Sequence, residues 1–112
     1  MWQQATLDQV QVLSWRQQPA GTGFPESALK ELEQLVDHDQ HRRWVIDADG
    51  IQLLSSEAIA LLIGVVRKVN LAGGAMCLAR PMPSVAAVLR MTRLTKILPL
   101  FAELPEAVAS LR

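Results

Sequence analysis

The sequence predicts an α/β domain, a sheet containing parallel strand pairs with helices packed over it. Two observations carry this. Short strand-like segments alternate along the chain with segments of helical periodicity, and parallel strands need such crossovers to return the chain to the same sheet end. Half of the 112 residues are hydrophobic and a fifth are charged, the balance of a globular chain and not of a disordered one. At this length one domain is expected over residues 1–112, removing roughly 65% of the unfolded surface from water.

The elements follow in order. From Gln9 to Trp15, Val10, Val12 and Ser14 fall on one face and Gln9, Gln11 and Leu13 on the other, which predicts a strand. A short pairing strand over Trp2 to Leu7 is expected before it. Arg16 to Pro25 mixes prolines, glycines and glutamines and reads as a loop. Leu29, Leu32, Leu35 and Val36 then recur at helical spacing, giving an amphipathic helix over 26–38. After a polar turn from Asp37 to Arg43, Trp44-Val45-Ile46-Asp47 is a strand of the kind buried on both faces. Asp49-Gly50 makes a turn. Ser55-Ser56 then precede a long helical pattern that closes near Gly73-Gly74, serine serving as N-cap and glycine as the left-handed terminator. Ala75 to Ala79 is a strand, and Pro83 starts a helix through Leu89 to Thr92. Ile97 to Phe101 is a further strand or extended segment, and Pro105 starts a last helix. No internal repeat or linker interrupts this order.

Composition removes several classes of function. Eleven basic residues balance eleven acidic ones, so nothing supplies the phosphate-neutralising surface that nucleic acid or an anionic membrane requires. Cys77 is the single cysteine, which excludes an internal disulfide and metal sites built on two or four cysteines; in its apolar run it reads as a buried, inert thiol. The longest apolar run, residues 58–66, is far shorter than the ~20 residues that span a bilayer. No secretory signal is read at the amino terminus, and a reducing cytosol is the expected location. No cofactor is expected.

Other constellations have bland readings. Asp47 and Asp49 lack an accompanying acid, base or nucleophile, and a strand end and a turn account for them. His38 and His41 have no third ligand and read as a solvated turn. The serine pair is not flanked by the glycines of a nucleophile elbow, and Gly21-Thr22-Gly23 lacks the lysine of a phosphate loop. Trp2, Trp15 and Trp44 suit core or sheet-edge packing, with an exposed Trp2–Trp15 patch as the alternative.

On the Ser56–Asn70 helix, Ile59, Leu62, Ile63, Val66 and Val69 form the stripe expected to cover the sheet. Ala58, Leu61 and Val65 fall on a different face with Lys68 beyond them. Either another helix packs there or the face is a partner-binding patch beside the serines.

Residues 45–74, running Val45-Ile46-Asp47-Ala48-Asp49-Gly50-Ile51, then Leu54-Ser55-Ser56, a helix and Ala72-Gly73-Gly74, resemble the signature of bacterial anti-sigma factor antagonists of the STAS family. The stretch Leu89 to Phe101 and the final helix, Glu106 to Leu111, resemble that family's carboxyl-terminal part. The resemblance covers residues 42–112. It implies a mixed sheet of four to five strands with about four helices, mainly on one face. It further implies binding of a protein partner, an anti-sigma factor with serine kinase activity or a scaffold, through the serine pair and the following helix. By motif position Ser55 would be the phosphoacceptor, with Ser56 as the alternative, and phosphorylation would release the partner. Leu54, Ser55, Ser56, Glu57, Ala58, Leu61, Val65 and Lys68 would form the partner-binding surface, with Asp47 adjacent to it. A homo-oligomer stays open. Leu54 and Glu57 stand where many members carry an acidic residue and a glycine. That departure fits a second role, a non-phosphorylated accessory subunit of a transporter or stress-signalling scaffold.

Overall fold

In a computed structural model, residues 2–15, 26–38, 42–51 and 55–111 are described. Strands β1 (Trp2–Leu7) and β2 (Val10–Trp15) form an antiparallel hairpin. Its two turn residues, Asp8 and Gln9, both have positive φ, 52° and 67°, the backbone hand that matches the twist of the flanking strands. Helix α1 (Glu26–His38) leads to β3 (Arg43–Asp47), α2 (Ser56–Leu71) to β4 (Ala75–Ala79), and α3 (Pro83–Met91) to the two-residue β5 (Leu100–Phe101). Helix α4 (Leu104–Ser110) follows. The sheet order is β1-β2-β3-β4-β5, with β2 through β5 mutually parallel. The described residues thus form a mixed α/β architecture of five strands and four helices, within the four to five strands and about four helices expected.

Strand alternation divides the core in two. On one face Leu13, Trp44, Ile46, Met76 and Leu78 meet apolar side chains of α1, α2 and α3. On the other, Val10, Val12, Val45, Cys77 and Ala79 are covered by Ala107 and Val108 of α4. Helices therefore lie mainly on one face. Trp2 is buried and donates its indole N–H to the Ala28 carbonyl at 2.6 Å, tying the edge strand to α1. Its burial removes Trp2 from the exposed-patch alternative, and Trp44 is buried in the core as well. The side chains of Trp15 and His38, and all of His41, lie outside the described residues.

The end of α2 is a Schellman motif. Gly73 takes φ 84°, its N–H donates to Asn70 O, and the Gly74 N–H donates to Val69 O. The predicted strand over 97–101 is shorter than expected. Leu94 and Leu98 are both buried, and the Ile97 and Leu98 N–H groups both donate to the Leu94 carbonyl, at 3.0 and 2.9 Å, so this stretch pairs with itself and not with β4. A 3₁₀ turn over Leu94–Lys96 results, and the strand begins only after Pro99.

Candidate functional site

Strand β3 ends at Asp47 and α2 begins at Ser56, so residues 48–51 leave the sheet at the carboxyl-terminal edge of the parallel strands, where α/β sheets commonly bind their ligands. This segment is anchored before it reaches the serines. The Ala48 N–H donates to Ala79 O at 2.8 Å, continuing the ladder by one rung, and Gly50 turns the chain at φ 88°. Ile51 is buried and its N–H donates to Ala48 O. Leu54 lies outside the described residues.

Ser55 is the N-cap of α2. Its backbone is extended (φ −76°, ψ 167°), and its Oγ accepts the Ala58 N–H at 3.1 Å. Ser55, Ser56 and Glu57 are all exposed. The hydroxyl is thus held as an acceptor toward the helix while its outer side faces solvent. The amides of the first turn and the positive end of the helix dipole favour negative charge here, and Glu57 already occupies that turn.

Asp47 is buried at the end of β3 with an oxygen-accepting role on every side. Its carboxylate accepts from the Asp49 N–H at 3.2 Å, from Ser14 Oγ at 3.4 Å and from Arg80 Nε at 3.0 Å, and a second Arg80 nitrogen closes an ion pair. Arg80 directly follows β4 in a left-handed conformation, φ 55°, which aims its side chain back along the strand ends. The hydrogen bonds to Asp47 raise the Arg80 pKa further above its ordinary value. Asp47 therefore fixes the chain leading toward the serines by gripping β2, β4 and its own turn. Its described partners are these groups and not the hydroxyls of Ser55 and Ser56. Sequence reasoning missed Arg80, because a pair separated by 33 residues leaves no local pattern.

On α2 the structure corrects the expected faces. The buried positions are Ala58, Leu62, Val65, Val66 and Val69, with Ile59, Leu61 and Ile63 partly buried against the same core. Ala58 and Val65 are wholly inaccessible and offer no surface to a partner. The cause is α1, which packs alongside α2: the Lys68 ammonium pairs with Glu33 at 2.8 Å and Asp37 at 3.2 Å across the two helices. Those hydrogen bonds, Glu33 first, raise the Lys68 pKa. An apolar cavity of about 20 Å³ lies beneath, lined by residues such as Trp2, Leu29, Ile46 and Leu62. It has about the volume one water occupies and offers that water no polar partner. No metabolite fits it.

The STAS domain model matches residues 25–107, most of the chain and all of the elements from α1 to β5. The chain belongs to the STAS domain family. Among solved structures, this STAS domain is similar to a Thermotoga maritima protein provisionally assigned as an anti-sigma factor antagonist, at TM-score 0.84 and 16% identity over 99% of this chain and 94% of that one. An anti-sigma-factor antagonist (STAS) domain protein from Planctomyces limnophilus superposes at TM-score 0.79, 19% identical over 98% and 97%. The Bacillus cell fate determinant SpoIIAA in its phosphorylated form superposes at TM-score 0.72, 14% identical over the full length of both chains. Identities this low establish a shared fold. No curated protein matches this STAS domain in sequence.

Proposed function

We propose that the protein is a single-domain, cytoplasmic binding module that engages an anti-sigma factor or related serine kinase through the amino-terminal end of α2, and that phosphorylation of Ser55 releases it. The observation that carries this reading is an exposed serine hydroxyl capping α2 at the carboxyl-terminal edge of a STAS fold. Leu54, Ser56 and Glu57 flank it and Leu61 and Lys68 lie along the same helix, so they are the remaining contact residues. Asp47 acts behind the surface by holding the approach segment. The module binds and does not catalyse; any nucleotide used belongs to the partner.

Phosphate on Ser55 adds about 1.5 to 2 negative charges beside Glu57. The helix amides stabilise that charge in the free protein, whereas a partner packed on the same spot must desolvate it. A hundredfold loss of affinity requires only about 2.7 kcal/mol, within reach of such a penalty. Glu57 also favours a second reading, a constitutive adaptor that is never modified, because its carboxylate already supplies negative charge at that turn.

Mass spectrometry of the protein from its native cells, with and without phosphatase, separates the two. A phosphate on Ser55 is the expected result, Ser56 being the alternative acceptor. An unmodified pair under both growth and stress assigns the adaptor role instead. Ser55→Asp should preserve the cap and the melting temperature yet weaken partner capture, while Ser55→Ala should cost about 1 kcal/mol of stability from the lost cap.

A further inference from the structure

The opposite end of the sheet carries a second polar feature. Between the β1–β2 turn and the start of β3 lies an open depression of about 370 Å³, lined by Thr6, Gln9, Arg42 and Arg43. Volumes of this order are those of small-ligand clefts. Both arginines are exposed, and among the described residues neither guanidinium has a carboxylate partner. Asp8, the other turn residue, does not line the depression.

The two side chains come from adjacent residues yet reach one place because they straddle the sheet end. Arg43 is the first residue of β3 and shares the face of Val45; Arg42 precedes the strand on the face of Trp44. The Arg42 backbone is fixed by its carbonyl, which accepts the Ala75 N–H at 2.7 Å. Its guanidinium lies beside Gly73 at the carboxyl end of α2, where a methyl group on that glycine would sit 3.7 Å from a terminal nitrogen. A helix carboxyl terminus favours a cation, which suits Arg42 to this place. Gln9, in the turn, adds a side-chain amide, and Thr6 adds a hydroxyl that accepts from the buried Gln11 Nε2 at 3.0 Å and donates to its Oε1 at 3.2 Å.

From this arrangement we infer that the depression binds a phosphate group, held by Arg42 and Arg43 in paired charge-assisted hydrogen bonds with the Gln9 amide and Thr6 hydroxyl at its rim. Two guanidinium forks match a dianion in charge and offer the planar donor pairs that phosphate oxygens accept. The site is independent of Ser55, which lies at the other end of the parallel strands, and it stands whether or not that serine is modified.

The test is a titration of the intact protein with inorganic phosphate at constant ionic strength, followed by amide and arginine Nε resonances. Saturable shifts confined to residues 6–11 and 42–43 are expected, at least about tenfold weaker in the Arg42→Gln/Arg43→Gln double variant. Both substitutions are on exposed side chains, and an unchanged melting temperature confirms the fold. Shifts that grow linearly without saturating, or that acetate or chloride reproduces at equal ionic strength, overturn the assignment, as does a double variant that binds like the parent.

Discussion

A methyl group added at Gly64 meets no heavy atom within 4 Å, whereas one added at Gly74 would sit 2.3 Å from the Arg42 carbonyl oxygen and 3.0 Å from a Val69 methyl. The two glycines, read alike in composition, thus do opposite things. Gly64 weakens α2 by its backbone freedom alone, so Gly64→Ala is expected to stabilise the protein by about 0.5–1 kcal/mol. Gly74 permits the backbone approach that starts the β3–β4 pairing, so Gly74→Ala is expected to cost about 1–3 kcal/mol through a forced backbone shift. Urea denaturation of the two variants beside the parent checks both signs. Equal effects would mean that the close approach at Gly74 relaxes without loss. Nothing in the linear sequence distinguishes these glycines except their place inside or after the helical pattern. That place was legible; the carbonyl pressed against Gly74 was not.

Among the described elements, α4 is the one helix on its face of the sheet, and its contact with β4 is chemically readable. Cys77 sits under Ala107 and Ser110, buried, and burial pushes its thiol pKa up to about 11 although a weak hydrogen bond with Ser110 opposes the shift. An unfolded thiol loses its proton near pH 9 while the folded one keeps it, so between about pH 9 and 11 the native state binds more protons and stability falls as pH rises. Chemical denaturation at pH 8 and 10 should show this fall, and Cys77→Ala should flatten it by that thiol's share; Lys68 adds its own loss from about pH 10.5 upward, above both measurements. A parent and variant with identical pH slopes would show that the thiol is not shielded by α4. Element identity was largely legible, since α1 spans 26–38 as its leucine spacing predicts. The orientation of α2 was not, because apolar residues surround much of that helix and periodicity alone cannot say which flank α1 will cover. The same ambiguity placed Ala58 and Val65 on a binding surface when they are core. The exposed first turn, with Ser55, Ser56 and Glu57, survives as accessible surface, as does Lys68 further along the helix, while Leu61 is half-buried.

For the whole molecule, strand order in the sheet repeats strand order in the chain, from β1 at one edge to β5 at the other. Each strand finds its neighbour already made, and α1, α2 and α3 close the larger core as they are added. The apolar residues of β2, β3 and β4 on the other face must wait for Ala107 and Val108. During synthesis the domain therefore passes through a stage with one finished face and one wet apolar face, the moment at which a nascent chain is most exposed to aggregation and to chaperones. A chain truncated after residue 102 mimics that stage. It is expected to bind a hydrophobic dye strongly while retaining helical circular dichroism; a truncated chain with no dye binding and a parent-like melting temperature would show that the sheet stands without its last helix.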